Sequence, residues 1–176
     1  MSRDPLAKPE ELIRRVYAYV AYRIGHGSDA EDITSETMLR AVRYRSSWDP
    51  RKGKPISWLI GIARTCIAEH LAGRAEQSVL PLDLESQENV ESEAVERIVM
   101  AAAVQSLEPR DRELIALRYG ADLSAREIAR LLGLTPNAVD VALHRSRARL
   151  RRELEGTSSP QHPSFSSPAP SAEPGL

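Results

Sequence analysis

Residues 122–154 read DLSAREIARLLGLTPNAVDVALHRSRARLRREL and carry the punctuation of two helices in one short stretch. Ser124 followed three residues later by Glu127 is a capping box, and the helix it opens places Ile128, Leu131 and Leu132 on one face. Gly133 suits the left-handed position that ends a helix. Thr135 then caps a second helix, with Pro136 at its first position, where a missing N–H costs nothing. Two short helices around a glycine-containing turn follow the helix-turn-helix plan.

The second helix has two faces. At about 100° per residue, Val139, Leu143, Ser146 and Leu150 share one side. Asn137, Val141, Arg145 and Arg152 lie opposite, flanked by His144 and Arg149. Apolar inward and Arg/Asn outward is what a helix needs to rest on its own domain while facing a DNA groove, since Arg grips phosphates or guanine edges and Asn reads adenine. A solvated amphipathic helix in an ordinary bundle has the same pattern.

Aromatic residues make up 5% of the 176 and β-branched runs are scarce, so the expected fold class is all-α. Cys66 is the sole cysteine, which excludes a disulfide framework or a thiol-rich metal site and makes it an apolar filler in a helix. The N-terminal stretch lacks the apolar segment of a secretory signal, and no run approaches the ~18 apolar residues of a membrane span. A cytoplasmic compartment is expected.

The net charge of −1 conceals a pattern. Residues 1–74 hold 13 basic against 9 acidic side chains, residues 75–108 hold 1 against 8, and residues 109–155 hold 10 against 7. Two basic blocks around an acidic segment fit two small helical domains, 1–74 and 92–155, on a flexible acidic linker, 75–91. A disordered Ser/Pro-rich tail, 156–176, follows.

In the first block, Leu12, Ile13, Val16, Tyr17, Val20, Ala21 and Ile24 recur at helical spacing. Ser28 with Glu31 reads as a further capping box, opening a helix from Asp29 to about Arg45. Its inner face would be Ile33, Met38, Ala41 and Val42, and its outer face Asp32, Ser35, Glu36, Arg40 and Arg43. Residues 46–55 must be a loop, because Gly53, Pro50 and Pro55 exclude regular structure. It sets Arg51, Lys52 and Lys54 beside Trp48. Pro55 opens a third helix, burying Ile56, Leu59, Ile60, Ala63, Ile67 and Leu71, with Trp58, Arg64 and Arg74 around it. Basic residues mixed with aromatics suit a single strand, whose bases stack on rings; equally, both Trp side chains fill the core of a three-helix bundle. In the second block a helix near Ser92 turns Val95, Ile98, Val99 and Ala102 inward, and another runs from Leu107 to Tyr119 until Gly120 stops it.

In order and spacing these segments resemble a bacterial RNA polymerase sigma factor of the sigma-70 family, in the small extracytoplasmic-function (ECF) group. The resemblance to region 2 rests on residues 29–41 (DAEDITSETMLRA), 48–53 (WDPRKG) and 58–64 (WLIGIAR). That to region 4 rests on residues 107–113 (LEPRDRE), 117–119 (LRY), 123–129 (LSAREIA) and 143–150 (LHRSRARL). It implies a transcription initiation factor, not an enzyme, that needs no cofactor or metal. Asp29, Asp32, Ser35, Glu36 and Arg40 would dock on the β′ clamp helices of core RNA polymerase, and the C-terminal domain on the β flap. Trp48, Arg51, Lys52, Lys54, Trp58, Arg64 and Arg74 would open and read the −10 promoter element as single strand. Arg126, Asn137, Val141, His144, Arg145, Arg149 and Arg152 would read the −35 element as duplex. An anti-sigma factor is a further partner such a chain takes.

Some positions depart from the family pattern. Ser35 stands where Gln is usual, Thr65 where Asn is usual, Glu69 where Asp is usual, and the basic cluster ending the third helix is reduced to Arg74. Asp140-Val-Ala142 stands where Lys-Ser-Arg is common, and an acidic side chain there repels phosphate. The alternative function is a stand-alone helix-turn-helix regulator, which would leave residues 10–74 to another role such as dimerisation. An enzyme is disfavoured: His26, His70, His144 and His162 are scattered, with no HExxH, phosphate loop or nucleophile elbow.

Overall fold

The computed structural model describes residues 4–77 and 92–157; residues 75–77 of the expected linker belong to the third helix, and the rest of it and most of the Ser/Pro-rich tail lie outside the described residues. The described residues are helical, without a strand. The first group is α1 (Pro9–Ile24), α2 (Ser28–Arg43) and α3 (Pro55–Gln77), with a 3-10 turn at Arg45–Ser47. The second is α4 (Ser92–Ser106), α5 (Pro109–Ile115), a π-helical turn at Ala116–Gly120, α6 (Ala125–Leu132) and α7 (Pro136–Thr157).

Several local signals act as expected. Ser124 Oγ accepts from the Glu127 N–H at 3.3 Å while the Glu127 carboxylate accepts from the Ser124 N–H at 2.8 Å, which completes the capping box. Gly133 ends α6 at φ 68°, a left-handed conformation in which a Cβ is strained. Thr135 Oγ1 accepts from the Ala138 N–H at 3.2 Å and caps α7. The Ser28 box does not form: the N-cap of α2 is Gly27, with no side-chain cap bond, and Ser28 is already inside the helix.

The buried face of α2 is Ala30, Ile33, Thr34, Thr37 and Ala41, which turns Val42 outward at 56% exposure. Two threonines occupy core positions because each hydroxyl donates to a carbonyl one turn back, Thr34 to Ala30 and Thr37 to Ile33, both at 2.7 Å. Leu71, expected in the core, is 48% exposed, and Ile13 and Ala102 are also exposed. Of the other positions expected inward on α4, Val99 is half-buried, and the side chains of Val95 and Ile98 lie outside the described residues. Tyr19, which the helical spacing did not single out, is fully buried in α1. Cys66 is buried and free.

One apolar core joins the two helix groups. Val16, Tyr19, Val20, Leu59 and Ile60 from the first belong to the same cluster as Leu117, Leu123, Ile128 and Val139 from the second. A smaller cluster of Val104, Leu107 and Ile115 sits against Tyr22 and Leu150. Helix α1 lies against the π-helical turn, and it approaches closely because residue 120 is glycine: a Cβ there would stand 2.8 Å from Tyr19 Cα and 2.9 Å from its N. Burying such faces is the main favourable term in holding helices together.

Candidate nucleic-acid interface

Three surfaces carry the residues singled out by the sequence. The first is α7. Val139, Leu143 and Ser146 are buried with Leu150 half-buried, so the opposite face turns to solvent. Asn137, Asp140, Val141, His144, Arg145, Arg149 and Arg152 are all exposed there, and Arg126 is exposed on α6. Val141, 43% exposed, is the apolar member of this face. Arg149 has a second task. It donates to Asp111 Oδ2 in α5, while Ser146 Oγ, fully buried, donates to Asp111 Oδ1 at 2.6 Å. Burial raises the Asp111 carboxyl pKa, but the hydrogen bonds from Ser146 and Arg149 outweigh it and the net shift is downward. This ionised carboxylate ties α7 to α5 beneath it.

The second surface is the loop at residues 48–55 and the start of α3. The Trp48 indole N–H donates to the Gly53 carbonyl at 3.2 Å, which leaves the ring half-buried at the loop's edge. The Arg51 Nε and its backbone N–H both donate to Asp49 Oδ1, at 3.1 and 2.9 Å, so Asp49 closes the turn and its carboxyl pKa is lowered, chiefly by the Arg51 side chain. Trp58 is half-buried against the core. Trp48, Lys54, Trp58, Glu127, Arg130 and Leu131 are among the residues around a cavity of about 470 Å³, so both helix groups line it.

Two cations at or beside this surface are paired within the chain. Lys54 Nζ is 3.1 Å from Glu127 Oε1, and Arg64 Nε is 3.2 Å from Glu113 Oε1. Glu113 also accepts from the Tyr19 hydroxyl at 2.9 Å and lies 2.5 Å from Arg23 Nε. Burial, and then the Glu113 carboxylate, hold the Tyr19 hydroxyl protonated well beyond its ordinary range. Arg74 is not on this surface: it donates to Asp29 Oδ2 at 2.6 Å, across from α3 to α2.

The third surface is the outer side of α2. Asp32 and Ser35 are exposed. Glu36 accepts from Arg40 Nε at 2.5 Å, and Arg40 reaches on to Glu69 with two parallel bonds of 3.0 and 2.7 Å. Leu39 and Val42, each 56% exposed, and Tyr44 add apolar area beside this charged strip. The sequence left Leu39 and Tyr44 unmarked and placed Val42 inward, because the phase of α2 is misread when Thr34 and Thr37 are taken for surface residues. Glu113, Asp111 and Arg15 were missed for another reason, since their partners lie dozens of residues away. No group of three or more His, Cys, Asp or Glu that could hold a metal ion occurs among the described residues. No helix among them is long and apolar enough to cross a membrane.

Residues 10–76 match the family described as Sigma-70 region 2, and residues 97–150 match Sigma-70, region 4. The ECF RNA polymerase sigma factor BldN of Streptomyces coelicolor is 32% identical over 151 residues, covering 79% of this chain and 56% of BldN. The ECF sigma factor SigE of Mycolicibacterium smegmatis is 32% identical over 172 residues, covering 89% of this chain and 66% of SigE. The chain thus spans between half and two thirds of the length of these relatives. In fold it is similar to the sigma factor RpoE in complex with the anti-sigma factor NepR from Bartonella quintana (TM-score 0.63, 18% identity, covering 82% of this chain and 92% of that one). It is similar also to CnrH in complex with the cytosolic domain of CnrY (TM-score 0.60, 22% identity, covering 87% and 86%). With region 2 and region 4 matched in order and ECF sigma factors among its relatives, this chain belongs to the sigma-70 family of RNA polymerase sigma factors, in the ECF group.

Proposed function

We propose that the protein is a dissociable initiation subunit that binds core RNA polymerase, recognises −10 and −35 promoter elements and promotes strand opening without catalysing a reaction itself. The observation that carries this reading is the pairing, in one chain, of an exposed Arg/Asn face on α7 with a Trp/Lys/Arg loop ahead of α3. A helix face of that chemistry suits the major groove of a duplex. A basic loop with a half-buried Trp suits unpaired bases, and binding them favours strand separation without ATP.

The outer side of α2, with Asp32, Ser35, Glu36, Arg40 and the exposed Leu39 and Val42, is the surface for the β′ clamp helices, and Asp29 sits at its start. The C-terminal helix group would meet the β flap. Arg145 and Asn137 are the base-reading candidates on α7, with Val141, His144 and Arg152 around them and Arg126 from α6 on the backbone. Arg149, being paired with Asp111, acts by orienting the helix as well. The −10 set is Trp48, Arg51, Lys52, Lys54, Trp58 and Arg64; Arg74, paired with Asp29, is better placed to brace α2 against α3. An anti-sigma protein is a fitting further partner, since the fold-matched RpoE is held by one. Action inside the cell, beside the polymerase, follows from the same reading.

The test is capture of bacterial core RNA polymerase by the protein, followed by run-off transcription on a genomic fragment library. Core-dependent transcripts are the expected result. Duplex binding without any binding to core would instead assign the chain as a stand-alone helix-turn-helix regulator.

A further inference from the structure

The major groove of a duplex offers a side chain a short list of groups. Guanine presents two acceptors, thymine an acceptor and the C5-methyl, adenine an acceptor and an amino group, and cytosine an amino group. The phosphates along its walls are charged acceptors. Among its arginines, the solvent face of α7 sets two side chains of much narrower chemistry. At about 100° per residue, Val141 lies within about 15° of the direction opposite the buried Val139, Leu143 and Ser146. It is 43% exposed, at the centre of the face that a groove would receive. Asp140 is exposed beside it. The ordinary structural uses of an Asp are not met there. Thr135 caps the helix, and the helix dipole fades beyond the first turn. The positions three and four residues on, where Lys or Arg would pair with it, hold Leu143 and His144. Asp140 joins no salt bridge among the described residues.

We infer that Asp140 and Val141 set the sequence that α7 selects: a thymine meets Val141 through its C5-methyl, and an amino-bearing edge, cytosine N4 or adenine N6, meets Asp140 on a neighbouring base pair. This rests on the assignment of α7 to a duplex. Val141 has neither donor nor acceptor, so the thymine methyl is the one apolar group by which it can tell one base from another. The Asp140 carboxylate only accepts. It gains a bond from an amino group and is repelled by guanine O6 and N7, by thymine O4 and by the phosphates alike. Asn137, one turn before Val141 on the same side, and Arg145 on its flank supply contacts of the opposite kind, to adenine and guanine. The face therefore rejects as well as selects, because a guanine or thymine opposite Asp140 sets a carboxylate against a lone pair.

The test starts with enrichment of duplexes from a randomised pool by the full chain, alone and with bacterial core RNA polymerase. The enriched site should hold a thymine and, on a neighbouring base pair, a position where cytosine or adenine excludes guanine and thymine. Each thymine is then replaced in turn by deoxyuridine, which deletes only the methyl. At one of them the replacement should weaken binding by the parent roughly 3-fold, while Val141→Ser binds the two duplexes equally. Asp140→Ala should lose at least ~5-fold of the discrimination at the neighbouring position. Both side chains are exposed, so circular dichroism of the variants should match the parent. If no thymine is felt by the parent and ignored by Val141→Ser, the role of Val141 is overturned. If Asp140→Ala binds every sequence more tightly by one common factor, the carboxylate lies against phosphates and its role is overturned. No enriched sequence from either sample would overturn the assignment of α7 to a duplex as well. With an enriched site in hand, failure of both substitutions overturns this inference alone.

Discussion

Asp111→Asn tests whether the buried Asp111 carboxylate, through Ser146 and Arg149, holds α7 on α5. The Asp111 side chain is nearly inaccessible, and it accepts from Ser146 at 2.6 Å and from the Arg149 guanidinium. Hydrogen bonds to a charged group are worth roughly 1.5–3 kcal/mol each, but taking the carboxylate out of water offsets much of that. The neighbours also have somewhere to go. The Ser146 hydroxyl lies 3.0 Å from the Ala142 carbonyl and is not orphaned, and Arg149, half-exposed, recovers water. Asn keeps the volume and an acceptor for Ser146 but presents an amide to Arg149. The expected loss in urea unfolding at pH 7 is therefore about 1–2 kcal/mol, below the full value of two charged bonds. The pH dependence follows from the sign of the shift. A carboxyl whose pKa is lowered on folding contributes stability above its unfolded value, about 3.9, and loses it as pH falls through the folded value. The gap between parent and Asp111→Asn should hold from pH 7 to about 5 and close below about pH 4. A double-mutant cycle with Arg149→Ala should give a coupling of at least ~0.5 kcal/mol. A gap under about 0.5 kcal/mol at pH 7, or one unchanged at pH 3, would refute a net stabilising pair.

Other expectations can be checked singly. Arg145→Ala, which removes an exposed cation from α7, should weaken promoter-duplex binding by about 1–3 kcal/mol if it reads a base; a titration showing no change removes that role. Ser124→Ala deletes one side of the capping box and should cost about 1 kcal/mol in chemical unfolding with the helix content retained. Trp48→Ala should impair open-complex formation, followed by permanganate reactivity of unpaired thymines, more than closed-complex binding; equal losses would mean the ring only packs. Reversing charge on the outer side of α2, Asp32→Arg with Glu36→Arg, should abolish capture of core polymerase while circular dichroism is unchanged, and retained capture would move the docking surface elsewhere.

What the sequence discloses depends on how far apart the interacting residues are. The caps at Ser124, Gly133 and Thr135 were legible because each is satisfied within four residues, so the side chain and its partner appear in one window. The Ser28 box failed on the same local logic, because Gly27 takes the N-cap position one residue earlier. The phase of α2 was missed for a different reason. Thr34 and Thr37 read as surface residues until their hydroxyls are seen donating to carbonyls one turn back, and the error moved Val42 inward and left Leu39 unmarked. The long-range partners of Arg15, Glu113 and Glu127 were beyond reach, because a charged residue whose partner lies as many as 107 residues away looks the same in sequence as one facing water.

That last class of contact bears on how binding is driven. Arg40, Lys54, Arg64 and Arg149 are each attributed to an external partner, and each is ion-paired within the chain. A cation that leaves a carboxylate for a phosphate exchanges one attraction for another, and the counterions set free are those condensed on the strand. For a free cation, each phosphate contact on a single strand steepens the fall of log affinity with log salt by about 0.7. Lys54 and Arg64, if they meet the strand as proposed, contribute that slope in full, but against it stands the salt-sensitive cost of parting them from Glu127 and Glu113, which salt itself lowers. The expected net salt dependence for single strand is therefore shallower than these cations alone require. In the Glu113→Gln, Glu127→Gln variant it steepens, and the difference in slope measures how many of those cations the chain itself had claimed.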